Sequence, residues 1–133
     1  MLTLSKDMEV GIEQIDQQHM KLVDMINSLL SMDGDIAAKE KTQAAINMLG
    51  EYVVKHFGDE EELQTKYNYP EYESHRKMHQ DFIGEFQKLK KEFDTNGPSM
   101  TFSMELNKSL ISWIVKHIKS ADAELGKFLK GKI

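Results

Sequence analysis

Five histidines and two carboxylates hold the chemistry that this sequence can offer. His56 stands four residues before Glu60, His75 four before His79, and His117 five before Asp122, while His19 stands alone. Side chains four apart on a helix share a face, so His56 with Glu60 and His75 with His79 can each aim two donors at one point. Each element alone has an ordinary reading. A lone histidine in an apolar stripe is more often a satisfied core residue, His56 with Glu60 can be a pair within one helix, and His117 can cap a helix C-terminus. Asp122 alone reads as an ordinary loop acid, and Asp59, Glu61 and Glu62 read as a solvated face. The conjunction changes the reading, because every histidine, and Glu60 with them, stands where an apolar residue is due. Buried without partners, such groups cost about 1–3 kcal/mol each. A metal ion offsets that cost.

The elements that must position these residues follow from apolar spacing of three and four, which marks amphipathic helices facing a common core. The first stripe is Ile12, Ile15, His19, Leu22, Ile26 and Leu29, with Asp16 as N-cap and "DGD" at 33–35 as a stop. The second, after Asp35, is Ala45, Leu49, Tyr52, His56, Glu60 and Leu63. The third starts at Pro70, suited to a first helical turn, and runs through Tyr72, His75, His79, Phe82, Phe86, Leu89 and Phe93 to "TNGP". The fourth starts near Ser99 or Ser103 and carries Phe102, Leu106, Leu110, Trp113 and His117, and a short tail carries Leu125 and Phe128 on either side of Gly126. The nine methionines read as core filler on these stripes. The fold class expected is all-α: an up-down-up-down antiparallel four-helix bundle with an N-terminal arm and a short C-terminal helix, residues 1–133 forming one domain.

Composition narrows the partners. With 17 basic residues against 22 acidic ones, net charge −5 and no basic cluster, the chain has no footprint for nucleic acid. No apolar run approaches a membrane span and no signal segment opens the chain, so a soluble, cytoplasmic protein is expected. The absence of cysteine leaves nitrogen and oxygen ligands only. No protein partner is indicated.

Seven donors exceed one ion and suit a pair. If Glu60 and Asp122 each bridge two octahedral metals and a solvent oxygen forms a third bridge, the five histidines leave one position open, on one ion only. A mononuclear site with spare histidines is the alternative. Imidazole suits zinc, copper, iron and nickel, so ligand type does not select the metal. Phe57, Trp113, Ile114 and Ile118 surround the open position and leave room only for a small ligand.

These residues resemble the hemerythrins, especially their bacterial members. The resemblance spans nearly the whole chain through "IDQQH" at 15–19, "HFGDEE" at 56–61, "YPEYESHRKMH" at 69–79 and "WIVKHIKSAD" at 113–122. It implies two non-haem iron ions with a bridging oxo or hydroxo group, His75, His79 and His117 on one ion, His19 and His56 on the other, and Glu60 and Asp122 as bridges. Dioxygen would bind reversibly at the iron with two histidines, for storage, transport or delivery and not for turnover. The alternatives are a sensor of oxygen, nitric oxide or redox state acting through a separate partner, and a di-iron oxidase or peroxidase. One departure concerns the N-terminal arm, where many bacterial members carry tryptophan and this chain has Leu4.

Overall fold

Four amphipathic stripes bury themselves by facing one another, and the computed structural model, which describes residues 8–32, 39–97 and 100–133, packs them as a four-helix bundle. Helix α1 spans Glu13–Met32, α2 Lys39–Lys66 and α3 Tyr72–Asn96. The fourth helical run, α4, covers 100–129 and alternates α-helical segments with two π-helical ones, Leu106–Ile111 and Ile118–Asp122. Among the described residues there is no strand, and no helix is long and apolar enough to cross a membrane.

The first, third and fourth stripes are buried much as their spacing requires, Tyr72 and Trp113 staying half-buried at their edges. On α2 the stripe is centred one residue away from the expected line. Ile46, Val53 and Gln64 are buried, whereas Ala45, Tyr52 and Leu63 are half-buried. Tyr52 belongs at the edge, where Lys21 Nζ lies 4.7 Å from its ring centroid. Among the described methionines, Met8 is buried and Met25 packs against the core as expected, but Met20, Met48, Met78 and Met104 are exposed, and Met20 and Met78 each adjoin an inward histidine and so point off the stripe.

Helix ends have local causes. Asp16 does not cap α1 as expected, since the helix begins three residues earlier. From the first turn it reaches back to accept hydrogen bonds from the Val10 N–H at 2.8 Å and the Gly11 N–H at 3.2 Å. Gly11, at φ 86°, turns the chain so that both amides face the carboxylate. Pro70 precedes α3 by two residues instead of opening it, and Gly97, at φ 69°, closes α3 with its N–H on Phe93 O at 2.7 Å. Asp35 and the "DGD" stop lie outside the described residues, as does Leu4. The short C-terminal helix, Ala123–Leu129, continues directly from the second π segment with Gly126 inside it. A Cβ at Gly126 would stand 2.3 Å from Val10 O, so glycine is what lets the N-terminal arm cross α4.

The core is layered. A large apolar cluster contains Leu22, Ile26, Leu49, Val53, Phe57, Phe82, Phe86, Leu110, Ile114 and Ile118, and a smaller one contains Val10, Ile12, Ile15, Tyr69, Leu125 and Leu129. His19, His56, Glu60, His75, His79, His117 and Asp122 fall between the two along every helix. The antiparallel order makes this possible: the polar residues sit early in α1 and α3 and late in α2 and α4.

Candidate metal centre

All seven residues singled out by their spacing are buried, His117 at 6% exposure being the most accessible. Four-residue spacing aims His56 with Glu60, and His75 with His79, from one helix face each. The five-residue step from His117 to Asp122 needs a different backbone, because residues five apart on an α-helix stand about 140° apart around the axis. Segment Ile118–Asp122 is wound as a π-helix, with the Ala123 N–H bonded to Ile118 O, and this wider turn returns Asp122 to the His117 face.

The donor atoms fall into two overlapping sets. One comprises Glu60, His75, His79, His117 and Asp122, the other His19, His56, Glu60 and Asp122, and within each set the ligand atoms lie within 4.8 Å of one another. Asp122 joins them: Oδ1 is 2.9 Å from His75 Nε2 and 3.1 Å from His117 Nε2, and Oδ2 is 2.9 Å from His19 Nε2. Glu60 Oε1 is 3.2 Å from His79 Nε2 and 3.6 Å from His56 Nε2. Atoms bonded at about 2.1 Å and at right angles on one ion stand about 3.0 Å apart. Most of these separations match that value.

Several of these contacts are close without being hydrogen bonds. Glu60 Oε1 and Oε2, His79 Nε2 and Asp122 Oδ1 are buried and have no hydrogen-bond partner, although imidazole nitrogens and carboxylate oxygens lie within ion-pair distance. Atoms aimed side by side at a common point, and not at each other, produce that pattern. The donor set therefore fits a bound cation, which would satisfy atoms that are otherwise costly to bury.

Electrostatics agree. Burial, reinforced by neighbouring histidines, holds His56 down to about 3 and His79 to about 2, so both are neutral, the form that ligates. Burial and the charge of Asp122 push Glu60 well above the usual carboxylate range. Burial acts on Asp122 in the same sense, but His117, His19 and His75 outweigh it and hold Asp122 well below its ordinary value. Without a cation, the two carboxylates are driven apart, Glu60 toward its protonated form and Asp122 toward its ionised one.

Behind the imidazoles stand partners that spacing did not reveal. The His56 Nδ1–H donates to Gln18 Oε1 at 2.6 Å, Gln18 Nε2 donates to Asp59 Oδ2 at 2.7 Å, and Lys55 Nζ donates to the same oxygen at 2.8 Å. The His79 Nδ1–H donates to Glu61 Oε2 at 3.0 Å. Asp59 and Glu61 are therefore not merely a solvated face: each orients a ring or the group that holds it. Gln64 Nε2 donates to His75 Nδ1 at 3.1 Å. The detectable signal was polar residues flanking the ligands on the same helix, which local sequence does not separate from surface charge.

The apolar surroundings are Phe57, Ile114 and Ile118, all buried, and half-buried Trp113. Phe57 stacks on His79 with centroids 3.8 Å apart, and Trp113 stacks on His117 at 4.3 Å. An open groove of about 580 Å³ lies elsewhere, over Val53 and Phe86 between α2 and α3, and carries one carboxylate, Glu51, and no histidine.

Comparison with known proteins agrees with this arrangement. Residues 10–129 match the family model described as the hemerythrin HHE cation binding domain. A bacteriohemerythrin of Stenotrophomonas maltophilia is 30% identical over 92% of this chain and 77% of its own length. A Pseudomonas aeruginosa bacteriohemerythrin is 32% identical over the same shares. Myohemerythrin of Sipunculus nudus is 32% identical over 74% of this chain and 72% of its own. A buried layer of histidines and carboxylates inside a four-helix bundle, and a family match over most of its length, make this chain a member of the hemerythrin HHE cation-binding family.

Proposed function

We propose that residues 1–133 form one domain that binds dioxygen reversibly at two non-haem iron ions, as a carrier or store and not as an enzyme. The observation that carries this reading is the pair of donor sets sharing Glu60 and Asp122. His75, His79 and His117 would hold one ion, His19 and His56 the other, and the two carboxylates both. When bound, the iron pair supplies the two electrons that dioxygen takes up reversibly.

The chain's own residues do the rest. The Gln18 and Glu61 side chains accept the Nδ1–H of His56 and His79 and so keep each Nε2 bare and aimed inward. Phe57 and Trp113 hold His79 and His117 by stacking, and with Ile114 and Ile118 they exclude water from the layer. Among the described residues the only buried carboxylates are Glu60 and Asp122. Both would be taken up in holding the ions, so none would be left to serve as a general acid or base, which favours carriage over turnover.

The test is iron content together with visible absorption of the protein reduced without air, exposed to oxygen, and returned to vacuum. Two irons per chain with colour that appears and fades are expected. Iron that oxidises once and stays oxidised overturns the carrier reading.

A further inference from the structure

Two glutamines reach the buried imidazoles, and their amides are held differently. Gln18 is locked. Its Nε2–H faces Asp59, whose carboxylate only accepts, and Asp59 is held by Lys55. Its oxygen must therefore face His56. Gln64, on α2 four residues beyond Glu60, has no such anchor. It is fully buried, its Nε2–H donates to His75 Nδ1, and its Oε1 has no hydrogen-bond partner. Turning this amide over breaks no other hydrogen bond and gives the orphaned oxygen a chance to bond.

The present orientation fixes the proton of His75. A ring that accepts at Nδ1 carries its hydrogen on Nε2, and His117 Nε2 lies 3.0 Å away to receive it. In that tautomer Nε2 cannot ligate. Ligation through Nε2 moves the hydrogen to Nδ1, where it would confront the N–H of Gln64.

Resting on the metal reading above, we infer that Gln64 is the positioning residue for His75 and that its amide turns over as the site fills. Its Oε1 then accepts the His75 Nδ1–H. One proton leaves Nε2 to solvent and one arrives at Nδ1, so the ring stays neutral throughout. In the metal-free protein the His75 Nε2–H is bonded to His117, with Asp122 Oδ1 2.9 Å from the same nitrogen. Filling replaces that bond with one that satisfies the buried oxygen. His56, behind its locked glutamine, keeps one tautomer in both states.

Zinc(II), a diamagnetic probe, allows the test by long-range proton–nitrogen NMR on the metal-free and zinc-loaded chain. His75 should pass from the Nε2–H to the Nδ1–H form on loading while His56 stays as Nδ1–H. Gln64→Met, similar in length but without an acceptor, should weaken zinc binding by about 10–100-fold in a competition titration. Gln64→Glu, able only to accept when ionised, should hold His75 as Nδ1–H even without metal. One tautomer of His75 in both states, or wild-type zinc affinity in Gln64→Met, overturns the role of Gln64 and leaves the metal site standing. A wild-type chain that binds neither zinc nor iron overturns both.

Discussion

Acidifying the metal-free protein exposes the opposed protonation of the buried layer. His56 and His79 have folded values of about 3 and about 2, against 6.5 in the unfolded chain, so their contribution is present above 6.5 and lost as pH falls. Each binds a proton on unfolding in this window and removes about 1.4 kcal/mol per pH unit, about 2.7 together. Glu60 works in the opposite sense. Its folded value is raised above 4.5, so it keeps a proton that unfolding releases, and while protonated it cancels one histidine. Asp122 is held below 3.8 and adds nothing in this window. Between about pH 6.5 and about pH 5 the chelated Glu60→Gln protein, in which the two histidines act unopposed, should thus lose about 3–4 kcal/mol, and the wild-type protein, in which Glu60 opposes them, should lose less. Losses of that size are large beside a total stability of about 5–15 kcal/mol. Urea titrations followed by Trp113 fluorescence at stepped pH measure both slopes. Equal slopes in the two proteins, or no loss in wild type, would refute this account of the layer.

Other substitutions test the site and its supports. His117→Ala should lower metal content and weaken binding by more than the roughly 10–100-fold that accompanies loss of a group behind a ligand; metal analysis after dialysis decides. Ile118→Ala opens a cavity in the wall, should cost about 2–5 kcal/mol, and should shorten the lifetime of the oxygenated colour; an unchanged lifetime removes Ile118 from the wall. Gly126→Ala drives a Cβ into the backbone of Val10, should cost about 1–3 kcal/mol as overpacking, and should speed amide exchange at Val10 and Gly11. Wild-type exchange there would show that the arm does not depend on this glycine.

The bundle and the cluster were legible because the same positions serve both. A histidine on an apolar stripe marks where the core lies and, being costly to bury, marks a partner as well. His75, His79, Phe82, Phe86, Leu89 and Phe93 on α3 carry that logic without error. It failed where burial and chemistry separate. Apolar spacing selects Leu63 over its polar neighbour Gln64, yet Gln64 is the buried one, because its amide faces His75. Asp59 and Glu61 resemble surface charge because a carboxylate half in solvent shows nothing of its inner bond. Asp16 resembles a cap because composition marks helix starts only to within a turn, and whether a side chain reaches forward or back depends on the glycine before it. The π-helical winding had no local signature, and only the His117 to Asp122 spacing hinted at it.

That winding bears on how the chain length can change. In an α-helix, adding or removing one residue rotates everything beyond it by about 100°, which would turn Leu125 and Leu129 out of their cluster. A π turn is an α turn that has taken in one residue and kept the phase of the helix downstream. Loss of a single residue between Ile118 and Asp122 would therefore relax the turn to α and leave the downstream face in place, with a four-residue step like that from His56 to Glu60. A further insertion at the same point would have no such relief. The fourth helix thus holds a site where a one-residue deletion is the mild change and a one-residue insertion the severe one.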